Sequence, residues 1–322
     1  MPDIRPCRMP AWRRVHTLLV ATAVYLYSTM ITLTFVRHGE STDNLRAFWA
    51  GWADAALSNH GLNQAKAAAK FFSTYPITHM FASDLKRAHS TARAIYDAQP
   101  DPKPPLTITD LVREQHFGQG EGKQWGQGEW CQPSGRDGKF LDGESLNDVA
   151  RRGDRFIETY LTRLIHESVN KPLGEVNVVV VSHGICIAET LGALTRRCVR
   201  VDTNGWTGRF RGLHNTAWTR VSLGVADESL SDTPISNGTD SNHRLTPDPG
   251  AVLATKLEES APPPLQCDQA GPPLFSMKII ACNQHSHLNG VVRQKDGNQC
   301  SGDDPNEKKL REFFGGGGGE EN

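Results

Sequence analysis

Short runs dominated by apolar or β-branched residues alternate along this chain with longer stretches in which apolar residues recur every third or fourth position. Ile31 to Val36, Ile77 to Ala82, Leu106 to Leu111 and Val176 to Val181 are of the first kind and predict strands. Val176 to Val181 is polar only at Asn177 and ends in four consecutive valines, as expected for a strand covered on both faces. Gly61 to Phe72, a stretch opening near Leu85, Gly143 to about His166, and Ile185 to Leu194 predict helices. The third of these carries an apolar stripe at Leu146, Val149, Phe156, Tyr160 and Leu164. Ser58-Asn59-His60-Gly61 reads as a helix start, Ser83-Asp84 as a cap, and Pro100 to Pro105 as a firm stop. Asn215 to Leu223 and Met277 to Cys282 add two more strands, and Lys308 to Phe314 a last helix. Strands alternating with helices predict an α/β fold of three layers around a mostly parallel central sheet.

The periodic signal fails in four places, and these divide the chain. Residues 1–29 hold four arginines, at 5, 8, 13 and 14, ahead of an apolar run from Leu18 to Tyr27. They read as a leader or extension outside the domain: a secretory signal, a mitochondrial targeting segment, or sequence upstream of a start at Met30. Residues 30–223 form the domain proper. Within it, Gly118 to Gly143 is rich in glycine and tryptophan and has no period, which predicts a lid or specificity loop. Residues 224–275 are rich in Ser, Asp, Pro and Gly, with acids outnumbering bases, and predict an acidic disordered insertion that interrupts a hairpin. Residues 276–314 then complete the domain with a strand and a helix, and the glycine run opens a flexible tail over 315–322.

Charge narrows the class of partner. The formal net charge of the 322 residues is −1, so no overall basic field points to nucleic acid or an anionic membrane. The Leu18–Tyr27 run is too short for a stable membrane span. Seven cysteines, none in a CxxC pair, argue for a reducing compartment and against a disulfide framework or a zinc site. The expectation is a cytoplasmic protein with no metal and no cofactor, with targeting by residues 1–29 left open.

The chemistry gathers at strand ends, where α/β sheets collect their ligands. Arg37 and His38 follow the first strand, Arg87 opens the helix after the second, Glu114 follows the third, and His183 follows Val176–Val181. A histidine that accepts a phosphoryl group must be neutral and must sit beside cations that balance the incoming phosphate. Guanidinium forks match phosphate oxygens in pairs, and neighbouring arginines lower the histidine pKa. A carboxylic acid then protonates the leaving alkoxide and later takes a proton from water. The chain supplies His38 as nucleophile, Arg37 and Arg87 as cations, Glu114 as acid, and His183 as a donor to phosphate. Asn44 adds an amide, while Gly39 and Gly184 permit close approach of backbone to an anion.

Arg37-His38-Gly39-Glu40-Ser41 with Asn44 resembles the signature of the histidine phosphatase superfamily, the phosphoglycerate-mutase-like fold. Leu57-Ser58 with Gly61, Ser83 to Ala88, Arg113 to Gly118, Glu121-Gly122, Gly143 to Leu146 and Val181 to Gly184 extend the likeness over roughly residues 30–223. Within it the chain is most similar to TIGAR-type fructose-2,6-bisphosphatases, on Phe81 to Leu85, Glu121-Gly122-Lys123, Gly143 to Phe156, Asn215-Thr216 and His287 to Gly290. The resemblance implies catalytic roles for His38, Glu114, Arg37, Arg87 and His183. It also implies substrate binding by Arg37, Ser41, Asn44, Arg87, His183 and Gly184. The implied substrate is a small phosphorylated metabolite, a sugar bisphosphate, hydrolysed through a phosphohistidine. A broad-specificity acid-type phosphatase, a cofactor-dependent phosphoglycerate mutase and a non-catalytic scaffold on this fold stay open as alternatives. Lys123, Arg136 and Lys139, spread through the 118–143 loop, are candidates to read a second phosphate or simply solvated bases.

Overall fold

The run Ile31 to Val36 becomes the middle of the molecule. In the computed structural model it forms β1 (Met30–Arg37), bonded on one side to β4 (Asn177–Ser182) and on the other to β6 (Trp218–Val225). The structure describes residues 30–46, 48–126, 128, 130–131, 133–168, 176–208, 210–225 and 275–293. The leader 1–29, most of the 224–275 segment, the helix expected over Lys308–Phe314 and the tail 315–322 lie outside the described residues.

With β2 (His79–Ser83), β3 (Leu106–Thr109), β5 (Cys198–Asp202) and β7 (Phe275–Gln284), the described strands make one sheet in the order β3-β2-β4-β1-β6-β7-β5. Pairing is parallel from β3 through β1 and between β5 and β7, and β6 runs antiparallel to both neighbours. Side chains alternate across β1 and β4, as the two-residue strand period requires. Ile31, Leu33, Phe35, Val178 and Val180 enter one buried cluster with Val149, Phe156, Ile187 and Leu191. Val36, Val179 and Val181 enter the other, with Ala68, Phe72, Ala88, Ala92 and Ile95. The first cluster therefore lies under α3 (Leu146–Phe156) and α5 (Gly184–Arg196), the second under α1 (Asn59–Phe72) and α2 (Lys86–Asp97). This is the expected three-layer α/β arrangement.

Several local expectations are adjusted. Ser58 caps α1 by accepting from Gly61 N at 3.0 Å, but Ser83-Asp84 do not cap α2, because Leu85 occupies that position without a side-chain bond. The Asp84 carboxylate is taken instead by Arg113. The long helix after Gly143 starts at a Ser145–Asp148 capping box and breaks into a π-helical turn, Ile157–Leu161, before α4 (Thr162–Ser168). β3 stops at Thr109, where a short 3-10 turn (Asp110–Val112) redirects the chain. The strand expected from Asn215 begins at Trp218, leaving Asn215 and Thr216 in a turn where Thr216 has φ +57. β5 was not expected at all: it is a parallel edge strand whose Val199 is 56% exposed, so it lacks a buried face to mark it.

β1, β2, β3 and β4 all end along one edge of the sheet. β6 enters and β7 leaves at that same edge, with Trp218 opposite Val36 on one side and Gln284 on the other. At the far edge Val225 lies opposite Phe275, so the 226–274 segment connects two neighbouring strands. No helix among the described residues is long and apolar enough to cross a membrane.

Candidate active site

Strand ends bring Arg37, His38, Arg87, Glu114 and His183 to the edge just described, and all five are buried. His38 N donates to Ser182 O at 3.0 Å, tying the turn after β1 to the end of β4. The two imidazoles face each other with ring centroids 4.9 Å apart. His38 Nδ1 lies 2.6 Å from Gly39 O. A carbonyl oxygen only accepts, so the proton sits on Nδ1 and the Nε2 lone pair is left exposed for chemistry. Burial, followed by Arg87 and Arg37, holds the imidazole pKa well below its ordinary value, and the ring is neutral.

His183 is likewise kept neutral by burial and then by Arg87. Its Nε2 lies 2.9 Å from Ser83 Oγ, while its buried Nδ1 has no hydrogen-bond partner among the described residues. Leaving such a group unsatisfied costs about 1–3 kcal/mol.

Both arginines are anchored through backbone carbonyls, with Glu114 acting on each from nearby. Arg37 Nη1 donates to Leu213 O at 2.5 Å. Burial lowers the Arg37 pKa to about 10, with Glu114 opposing the shift. Arg87 donates to Ala53 O at 3.0 Å and Gly51 O at 2.7 Å. That loop is itself held by Glu121, whose two oxygens accept from Trp52 N at 2.7 Å and Ala53 N at 2.6 Å. The Glu121-Gly122 motif thus positions the loop that cradles Arg87.

Glu114 is seated at the start of α5. Its Oε1 accepts from Gln115 N at 3.0 Å and Cys186 N at 3.1 Å, and its Oε2 from Ile185 N at 3.2 Å. The carboxyl group is therefore fixed directly beside the His183-Gly184 corner. Ser41 and Asn44 are engaged with each other: Ser41 N and Oγ lie 3.0 and 3.1 Å from Asn44 Oδ1. That arrangement commits the Asn44 oxygen and the Ser41 hydroxyl proton to each other. Gly184 is the first residue of α5, at the positive end of the helix dipole. Gly39 has a different reason from the one expected. A Cβ there would meet Gly61 O at 2.6 Å, so its missing side chain serves the packing of the turn on α1.

Arg152 was missed. Its buried guanidinium bonds Glu144 at both oxygens (3.0 and 2.9 Å) and the carbonyls of Leu111, Arg113 and Glu114 at 3.0, 2.7 and 3.0 Å. It fixes the backbone that carries Glu114. The signal was present in the stripe: between Val149 and Phe156 the buried face of the helix offers an arginine where an apolar residue belongs. Arg152→Met leaves Glu144 without its cation and strips donors from three carbonyls. The expected loss is about 3 kcal/mol or more, a fall in melting temperature of roughly 10 °C by calorimetry; an unchanged melting temperature would remove Arg152 from this role.

Aromatic rings of the 118–143 loop gather around Trp49. Trp49, 2% exposed, lies against Phe117, Phe140 and Trp125 at centroid distances of 4.6, 5.3 and 6.3 Å, and its Nε1 donates to Trp130 O at 2.9 Å. Arg136 is paired with Glu189 at both oxygens (3.3 and 2.5 Å), and Lys139 lies 3.8 Å from Asp148. Among the described residues no cluster of three His, Cys, Asp or Glu side chains fits a metal ion.

A neutral imidazole with an exposed lone pair, flanked by two buried guanidiniums, a second neutral imidazole and a carboxyl group, has the groups that phosphoryl transfer requires, on an α/β fold. Residues 33–230 match the model of the histidine phosphatase superfamily (branch 1), and the chain belongs to that family. It is an enzyme of phosphate-ester chemistry, a phosphatase or mutase. Its relatives include a 2,3-bisphosphoglycerate-dependent phosphoglycerate mutase 2 from Gloeobacter violaceus, 30% identical over 50% of this chain and 74% of the relative. They also include the fructose-2,6-bisphosphatase TIGAR of Xenopus tropicalis, 36% identical over 42% of this chain. That match spans about half of the frog protein (51%). The mouse protein of the same name is 28% identical over 82% of this chain and 98% of its own length.

Proposed function

We propose that the chain is a phosphomonoester hydrolase working through phosphohistidine at His38, on a sugar bisphosphate of the fructose-2,6-bisphosphate type. The observation that carries this reading is the Nδ1–H bond of His38 to Gly39 O, which leaves Nε2 as the nucleophilic lone pair between Arg37 and Arg87. Nε2 attacks phosphorus and forms the N–P bond as the ester P–O bond breaks. The guanidiniums and His183 Nδ1 bear the charge on the equatorial oxygens. Glu114 gives its proton to the leaving alkoxide. It then takes one from the water that attacks the phosphohistidine, and the site is restored. Gly184, Ser41 and Asn44 complete the phosphate cradle in this reading.

Hydrolysis is favoured over mutase chemistry because a mutase must keep a bisphosphorylated intermediate, with extra cations closed around it. Here Arg136 and Lys139 are already committed to Glu189 and Asp148. A scaffold reading would need a missing catalytic part, and each part is present. The likeness to two TIGAR proteins supports a bisphosphate, and the scattered free thiols support a cytoplasmic setting. Purified full-length protein assayed on sugar bisphosphates, phosphoglycerates and inositol phosphates should release phosphate fastest from a sugar 2,6-bisphosphate. Preference for a phosphoglycerate, or isomerisation without net phosphate release, would overturn this reading.

A further inference from the structure

The chain that follows β7 returns to the nucleophile. Residues 285–293 lie beyond the 33–230 family match, yet they reach the turn after β1 from two sides. On one side, the Arg293 guanidinium pairs with Glu40 Oε2, a contact between residues 253 apart in sequence. Glu40 Oε1 accepts from Ser58 Oγ at 2.6 Å, and Glu40 N donates to Gln64 Oε1 at 2.8 Å. The Gly39–Glu40 peptide is therefore held at its N–H by α1 and, through the Glu40 side chain, by Ser58 and Arg293. That same peptide presents the carbonyl on which the His38 Nδ1 proton rests. On the other side, His287 Nε2 lies 3.0 Å from Thr216 Oγ1. Thr216 N donates to Arg37 O at 3.0 Å and His38 O at 3.3 Å, and Asn215 Nδ2 to His38 O at 3.1 Å.

We propose that Arg293 is a positioning residue for the nucleophile, the working contact of a clamp formed by residues 285–293. It acts through Glu40 by fixing the Gly39–Glu40 peptide, and with it the tautomer and aim of the His38 imidazole. The Glu40 carboxylate is almost fully buried, so its cation governs where it rests. A small rotation of that peptide moves the Gly39 carbonyl off Nδ1, releases the proton to either ring nitrogen and tilts Nε2 away from the line of attack. Positional errors of this size are costly in rate while leaving substrate binding intact.

The proposal rests on His38 being the nucleophile, and its test has one arm that does not. In the full-length protein, at a temperature where the variant is fully folded, Arg293→Gln is expected to lower kcat on an aryl phosphate about tenfold, with KM changed less than about twofold. Arg293→Lys, which retains the charge, restores kcat to within about threefold of the parent. Glu40→Gln lowers kcat similarly, and combining it with Arg293→Gln adds no further loss, because both break one link. Independently of turnover, nitrogen-15 NMR of the histidines should show the His38 Nδ1–H tautomer in the parent and a mixture in Arg293→Gln. Wild-type kcat and an unchanged tautomer in Arg293→Gln would overturn the clamp, as would additive losses in the double variant. A parent protein that forms no phosphohistidine defeats the functional reading alone, and the tautomer comparison still decides the clamp.

Discussion

His38→Ala abolishes turnover and removes the acid-labile phosphoenzyme trapped by quenching during turnover. The expected fall in kcat is on the order of ten-thousand-fold or more, because the acid, the cations and the second histidine act only on a group the nucleophile receives. His183 cannot take over. Its Nε2 is occupied by Ser83, and the ring nitrogen that remains is buried. Activity within tenfold of the parent, or a persisting phosphoenzyme, would move the nucleophile elsewhere. The unaltered protein carries a related signature. Its reactive form is the neutral imidazole, and burial with Arg87 and Arg37 keeps the His38 pKa well below 6.5. As pH falls, the rate therefore persists through the ordinary histidine range and declines only below it.

Glu114→Gln divides substrates by their leaving groups. Release of a sugar alkoxide needs a proton, and the amide has none to give, so the first turnover on a sugar phosphate slows by about a hundredfold to a thousandfold. An activated aryl phosphate leaves as a stable phenolate, and its first turnover changes only a few-fold. Hydrolysis of the phosphohistidine also needs Glu114 as base, so the variant should release a burst of phenolate and then stall. Rapid-quench measurement separates the two steps. Equal slowing of both first turnovers would mean that Glu114 acts by holding the start of α5, where it accepts from Ile185 and Cys186, and not as the acid.

The strands and helices legible in the sequence were those whose period survives folding. β1, β4, α1 and α5 bury continuous or regularly spaced apolar residues, and their side-chain pattern states the face. The site was legible for a related reason: parallel strands deliver their ends to one edge, so a polar turn after each buried run marks the chemistry. What escaped lacks a period or spans a long separation. β5 is an edge strand with little to bury, and the π-turn at Ile157–Leu161 leaves the apolar spacing nearly intact. The Trp49 cluster gathers rings from separate loops. Arg152 showed itself only as a break in an apolar stripe, and Arg293 meets Glu40 from the opposite end of the domain.

The position of β1 between β4 and β6 has a consequence for how this enzyme breathes. Amides in the middle of a sheet, bonded on both sides and covered by helices on both faces, exchange with solvent only when the whole domain unfolds. His38 follows directly from such a strand and donates its own N–H to β4. The Trp49-centred loop rests on a small aromatic nucleus outside the two main cores and opens at lower free energy. In the proposed reading, with His38 as nucleophile and the Trp49-centred loop as the entrance, the two stand at opposite ends of the local-stability scale: loop opening would admit substrate and release product while the attacking nitrogen keeps its aim.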